Sequence, residues 1–288
     1  MKTNLECIPC FLKQAISIMD LHNLDKSIKE ETIRSILKEL SGFNLKSTPP
    51  EFALPVYDII SRITNNPDPY LEVKKKDNLN AIKLLPQIQK IIGSSANRLK
   101  DAVKIAISAN IMDFAANPDY DLMKRIKHNI DSDFTVSDFT KLEEDIKTAK
   151  SIAYITDNAG EIVIDTLLIK EIKKMSKAEI TVFVRAKPII NDATIEDAKT
   201  AGIDKLSNVK IEKIEKVFPF IENSGEFINF LKKADVVIAK GQANYECLSE
   251  FKDSNIYFLL IPKCIVIARD LNVKMQGMIL KCNRRQIK

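Results

Sequence analysis

Ile152-Ala153-Tyr154-Ile155-Thr156-Asp157-Asn158-Ala159-Gly160-Glu161 is the stretch whose reading decides the fold. Its first five residues form an apolar, β-prone run that reads as a buried strand. The residues that follow, Ile162 to Ile169, read as the apolar face of a helix. An acid and an amide therefore stand where a strand gives way to a helix. In open α/β sheets ligands bind in the crevice at the carboxyl ends of the strands. Carboxylate and amide oxygens are hard donors that suit Mg2+, Mn2+ and similar ions. The free N–H groups at the start of the following helix suit a phosphate. The stretch thus predicts a metal ion and an anionic substrate side by side.

Outward from it, short β-rich runs alternate with amphipathic segments. The runs are Ile152–Thr156, Ile180–Arg185, Val209–Ile211, Val236–Ala239 and Ile256–Ile261. Such alternation predicts parallel strands joined by crossover helices. A late pair, Ile265–Ala268 and Met278–Leu280, is expected to add edge strands. The first half of the chain carries helical spacing instead, over residues 8–21, 27–41, 53–64, 70–92 and 97–115. Pro49-Pro50 opens one of these segments and Asn65-Asn66-Pro67-Asp68-Pro69 reads as a turn. The fold class is α/β, with a helical domain over 1–147 and a metal-binding α/β domain over 148–288. No Pro/Gly-rich linker marks the border, so the two are expected to pack closely.

Polar residues recur after the expected strands. Asp157, Asn158 and Glu161 follow the first. Arg185, Asn191 and Asp192 follow the second, Lys240 and Asn244 the fourth, and Lys263 the fifth. A parallel sheet gathers these loops along one edge. Two carboxylates and an amide can hold a divalent cation and leave positions for water and substrate. The cation would polarise a phosphoryl oxygen and activate a water, while lysines and an arginine balance the remaining phosphate charge. Each residue also has a plainer reading. Asp157 and Asp192 suit helix N-caps, Gly160 and Gly241 suit tight turns, and Lys240 suits a solvated rim. Their co-occurrence after successive strands favours a site.

Composition narrows the partners. The 288 residues carry 44 Lys and Arg against 39 Asp and Glu, a net charge of +5. That excess is too small and too dispersed for a nucleic-acid face. No apolar run reaches the length needed to cross a bilayer and the N-terminus lacks a signal-peptide core. A soluble, cytoplasmic protein is expected. Five scattered cysteines argue against a disulfide framework.

The motifs together resemble the damage-control phosphatases, in their prokaryotic branch. These motifs are Asp157-Asn158-x-Gly160-Glu161, then Pro188-x-x-Asn191-Asp192-x-Thr194, then Lys240-Gly241-x-x-Asn244-x-Glu246. Glu6-Cys7-Ile8-Pro9-Cys10, Asp68-Pro69-Tyr70 and Ala109-Asn110-Ile111-Met112-Asp113-Phe114 are similar to the same branch, although Ala109 stands where the family usually has glycine. The resemblance implies a helical N-terminal domain and a Rossmann-like three-layer domain. It implies a metal-dependent phosphatase acting on monoesters of small metabolites, damaged nucleotides or sugar phosphates. Its metal ligands fall on Asp157, Asn158 and Asp192, with Mn2+, Co2+, Ni2+ or Mg2+ as the cofactor. The expected catalytic set is Asp157, Asp192, Lys240 and Lys263. The expected substrate contacts are Asn110, Asp113, Glu161, Arg185, Asn191 and Asn244.

Two other functions fit parts of the sequence. One is an S-adenosylmethionine-dependent carboxyl methyltransferase, although no Gly-x-Gly-x-x-Gly loop follows a strand. The other is a non-enzymatic metal or thiol binding module built on Cys7 and Cys10, whose spacing puts both on one side of a helix start. His22 and His128 lie in helical or helix-end segments without a motif and read as surface or structural residues.

Overall fold

A computed structural model describes residues 1–42, 44–110, 121–215 and 225–284. The chain opens with α1 (Cys7–Leu21), α2 (Lys26–Leu40), α3 (Pro49–Thr64), α4 (Leu71–Gly93), α5 (Arg98–Ala109) and α6 (Leu122–Ile130). A short strand β1 (Val136–Ser137) and α7 (Phe139–Thr148) lead into β2 (Ser151–Ile155), α8 (Glu161–Met175) and β3 (Glu179–Arg185). Then come α9 (Ile195–Thr200), β4 (Val209–Ile214), α10 (Glu226–Lys233), β5 (Val236–Lys240) and α11 (Gly241–Leu248). The chain closes with β6 (Ile256–Leu260), α12 (Ile265–Asp270) and β7 (Ile279–Asn283).

The sheet runs β1-β7-β6-β5-β2-β3-β4. Strands β6, β5, β2, β3 and β4 are mutually parallel, and β7 joins antiparallel to β6. Because helices cover both faces, the central strands are apolar on both sides. Ile152 and Tyr154 of β2 enter one core with Val236, Ile238, Tyr257 and Leu259, beneath α4, α5 and α8. The alternate residues Ala153 and Ile155 join Val237, Ala239, Phe258 and Leu260 in a second core, beneath α10, α11 and α12. Helices α1 to α3 carry a smaller core of their own around Phe11, Ile18, Ile36, Phe52 and Ile60. The Rossmann-like, three-layer expectation therefore holds, with a mainly parallel sheet.

Local chemistry accounts for the element ends. Asn97 and Asp121 accept from the backbone N–H of Lys100 and Lys124 and cap α5 and α6. One expectation is corrected. Ile265–Ala268 is not an edge strand but the body of α12, with Ile265 exposed while Val266, Ile267 and Ala268 are buried. A four-residue apolar run satisfies both periods, and only its surroundings choose between them. Ile279 and Leu280 open β7, but β7 lies between β1 and β6, so it is not an edge strand either. The border expected near residue 148 coincides with no break in packing. β1 precedes it and pairs with β7, and α4 and α5 pack on α8. Residues 111–115, expected to extend the fifth helix, lie outside the described residues.

Candidate active site

The loops after β2 and β3 are stitched together by backbone. Ala159 N–H donates to Asn191 O and Ala193 N–H to Asp157 O, each at 2.8 Å, and Asn158 and Asp192 form an antiparallel bridge. Adjacent parallel strands end side by side, so their loops meet where the sheet stops supplying partners. Asp157, Asn158 and Asp192 are thereby brought together at the carboxyl end of the sheet, all three nearly buried.

Beneath them lies a polar network sealed from solvent. Lys240 Nζ sits 2.5 Å from Glu161 Oε1 and 2.6 Å from Asp165 Oδ1. Glu161 and Asp165 are one helical turn apart on α8, so one ammonium spans both. Asn110 Nδ2 donates to Asp157 Oδ2 at 2.8 Å and Glu161 Oε2 at 3.1 Å, while its Oδ1 accepts from Ile261 N–H at 3.3 Å. On the other flank Arg185 Nε donates to Asp192 Oδ2 at 2.8 Å and Arg185 Nη2 to Asn244 Oδ1 at 3.3 Å. Asn244 Nδ2 donates to Thr156 O and Lys240 O, at 2.9 and 2.7 Å.

This geometry corrects several expected roles. Lys240, Glu161, Asn110, Arg185 and Asn244 were expected to contact phosphate or substrate. Their polar groups are instead buried and committed to one another, and to holding Asp157 and Asp192. The Lys240 ammonium has two of its three N–H groups on carboxylates and is fully buried, so it is not presented to a phosphate arriving from solvent. Lys263 remains. It is exposed, its N–H donates to Gln242 Oε1 at 3.2 Å, and among the described residues its ammonium makes no ion pair. It acts electrostatically on Asp157. Asn191 is half-buried and its observed contribution is its backbone carbonyl. Asp113 lies outside the described residues.

The electrostatics follow from this burial. Burial, then Glu161, then Asp192 push the Asp157 carboxyl up to about 8, against the pull of Lys263 and Lys240. Burial also raises Asp192, with Arg185 opposing. Burial pulls the Lys240 ammonium down, but Asp165 and Glu161 outweigh it and hold it above its usual range.

Residues 3–279 match the damage-control phosphatase ARMT1-like domain. The chain is 35% identical over its whole length, and the whole length of the relative, to a damage-control phosphatase of Pyrococcus horikoshii. It is 33% identical to a damage-control phosphatase of Archaeoglobus fulgidus, covering 98% of this chain and 99% of the relative. This chain belongs to the damage-control phosphatase family. The crystal structure of a DUF89 family protein from Pyrococcus horikoshii superposes with a TM-score of 0.89 at 33% identity, covering 98% of this chain and 99% of that one.

In this family member the donors at the sheet edge suit a hard divalent ion. Asn158 Nδ2 is spent on Asp157 Oδ2 and Glu161 Oε2, at 2.9 and 3.4 Å, which turns the amide oxygen away from both carboxylates. Among the described residues both hydrogen bonds on the Asp157 carboxylate, from Asn110 and Asn158, fall on Oδ2. Two buried carboxylates, both raised by burial and one of them by the other, carry charge a cation would offset. Among the described residues no three His, Cys, Asp or Glu side chains gather as a metal site. The candidate set accordingly needs the Asn158 amide as its third ligand.

Among the described residues the thiols do not gather three such donors either. Cys7 and Cys10 lie close enough to Cys264 and Glu246 to feel their charge, and burial pushes both thiols up. A thiol held protonated is a poor redox nucleophile. His22 Nε2 lies 3.0 Å from Pro69 O, in keeping with the structural reading.

Several working residues escaped the sequence reading. Asp165, Lys74 and Asn78 join the buried network, and Gly241 does more than turn the chain. Asp165 had a signal, an acid four residues after Glu161 within the largely apolar first half of α8. Lys74 and Asn78 had another, polar side chains on the same stripe of α4 as Ala81, Ile88 and Ile92.

Proposed function

We propose that this phosphatase is metal-dependent and hydrolyses phosphate monoesters of small metabolites, damaged nucleotides or sugar phosphates. The observation that carries the reading is the backbone stitching of two βα loops, which brings Asp157, Asn158 and Asp192 to one point beneath the exposed Lys263. Asp157, Asn158 and Asp192 would hold the ion, which supplies Lewis acidity at a phosphoryl oxygen. Lys263 meets the phosphate charge from the solvent side. Arg185 fixes the Asp192 carboxylate, and Asn110, itself braced by Glu161, fixes Asp157. Lys240 neutralises the two acids behind them, so that the site's negative charge faces outward. Preorganised groups of this kind need not reorient as the phosphorus–oxygen bond breaks.

The test is hydrolysis of an aryl phosphate by metal-stripped protein, with and without Mn2+, Co2+, Ni2+ or Mg2+. Metal-stimulated turnover is expected. Lys263→Ala is expected to raise KM and lower kcat/KM about 10- to 100-fold, the loss of a charge-assisted phosphate contact. Full activity without metal, or no effect of Lys263→Ala, would contradict this reading.

The raised Asp157 carboxyl sets a pH dependence. An ion must displace its proton, so affinity for Mn2+ is expected to rise roughly tenfold per pH unit from pH 6 to pH 8 and then level off. Stability of the stripped protein has the opposite sign. Asp157 is raised from 3.8 to about 8, so between those values the folded state binds more protons than the unfolded. Stripped protein should therefore melt at lower temperature as pH rises from 5 to 8, and Mn2+ should flatten the slope. Thermal melts against pH, with and without Mn2+, measure both signs.

A further inference from the structure

Helix α4 turns a polar stripe, not an apolar one, toward the loops of the site. Lys74, Asp77 and Asn78 are all 2% exposed or less, on the face that continues into Ala81 and Ile88. Buried polar groups of this kind persist where partners satisfy them. Asn78 Oδ1 accepts from Gly160 N–H at 2.7 Å, and Asn78 Nδ2 donates to Asp197 Oδ1 at 2.8 Å. Gly160, at φ +73°, is the turn that starts α8 directly after Asp157 and Asn158. Asp197 Oδ2 accepts from Thr194 N–H at 2.8 Å and from the Thr194 hydroxyl at 2.7 Å, two residues beyond Asp192. Lys74 Nζ stands 3.7 Å from Asp197 Oδ2 and 2.6 Å from Asp68 Oδ2, a buried cation matching the buried acid.

One amide thus reaches the first of the loops that carry the proposed ion ligands directly, and the second through Asp197. The backbone stitch fixes those loops on the sheet side, and Asn78 closes them from the helical side. Its two hydrogen bonds run in opposite senses, one accepted and one donated, and a carboxylate cannot make both. We propose that Asn78 is a positioning residue, a clasp by which α4 holds the Asp157–Asn158 loop and the Asp192 loop at ion-binding separation, with Lys74 as its charge partner. This inference rests on the metal-dependent reading above.

The experiment is calorimetric titration of Mn2+ into metal-stripped wild type, Asn78→Asp, the swap Asn78→Asp/Asp197→Asn, and Lys75→Ala, with thermal melts and kinetics at saturating Mn2+. Asn78→Asp keeps the acceptor for Gly160 N–H but sets a carboxylate against Asp197. It is expected to weaken Mn2+ binding about 10- to 100-fold, as loss of an outer hydrogen bond at a metal site does. Its kcat at saturating Mn2+ should stay near wild type. The swap restores one donor and one acceptor between positions 78 and 197, and should recover most of the Mn2+ affinity. Lys75, exposed and paired with Glu72, should leave binding unchanged. If Asn78→Asp does not fold, Asn78→Ser is read in the same way. A merely structural role would lower the melting temperature and leave the Mn2+ affinity of folded protein intact, which overturns the proposal. So would a swap variant that binds no better than Asn78→Asp. Wild type that binds no Mn2+ overturns the metal-dependent reading itself, and the clasp falls with it.

Discussion

Gly241→Ala is expected to lower phosphatase activity about 100-fold or more, because a displacement of about 1 Å at a reacting centre has effects of that size. A Cβ at position 241 would lie 1.9 Å from Asp157 Oδ2 and 2.1 Å from its Cγ, distances that no pair of heavy atoms sustains. Something must move. The backbone cannot easily do so, since Gly241 has φ +80° and follows directly on a central strand. The carboxylate therefore gives way. It is the group that Asn110 and Asn158 hold in place. The left-handed φ adds a strain of about 1–3 kcal/mol for a residue with a side chain. Gly93→Ala provides the contrast, as nothing lies within 4 Å of that Cβ, and it should leave activity and melting temperature near wild type. Steady-state kinetics and thermal melts of the two variants check this. An active Gly241→Ala would mean that Asp157 can work from elsewhere.

Lys240→Met is expected to destabilise the protein by about 3–5 kcal/mol, the cost of removing one partner from a buried ion pair. Here the removal orphans two carboxylates, Glu161 and Asp165, both fully buried. Replacing the pair's members together should be far milder. Lys240→Met with Glu161→Gln and Asp165→Asn is expected to regain most of the loss, since the neutral amides remove the uncompensated charge. The deficit of Lys240→Met also carries a pH signature. Burial already pushes Asp165 up to about 7, with Lys240 opposing it. Without the ammonium Asp165 holds its proton more tightly, so the variant's deficit should shrink as pH falls from 8 to 5. Denaturant melts at the two pH values decide. A deficit equal at both would mean that the acids do not carry the charge assigned to them.

Much of the fold was legible because the central strands are apolar on both faces and separated by helical spacing. The site loops were legible for the same reason, since a parallel sheet aligns its strand ends whatever the side chains. Roles within the site were less so. Lys240, Arg185 and Asn244 stand at strand ends, where sequence places ligand contacts, yet burial commits them to Glu161, Asp165 and Asp192 instead. Depth is a tertiary property that residue type and spacing do not encode. The contribution of Asn78 depends on where a helix some 80 residues earlier in the chain comes to rest. The helical reading of α12 turned on the same kind of context, as four apolar residues satisfy either period.

The division of labour is consistent across these features. In the proposed function Asp157, Asn158 and Asp192 hold the ion. A buried shell of Asn110, Glu161, Lys240, Asp165, Arg185 and Asn244 fixes them from below, and Asn78 from the side. Positioning shells of this type set both ligand geometry and metal affinity.

In the proposed function Asp157, Asn158 and Asp192 grip one divalent ion. The most direct test is calorimetric titration of Mn2+ at pH 8 into metal-stripped wild type and Asp192→Asn. The account predicts one saturable site in the wild type and its loss, or weakening by about 100-fold, in a variant that still melts cooperatively. Equal Mn2+ binding by the two proteins would contradict it.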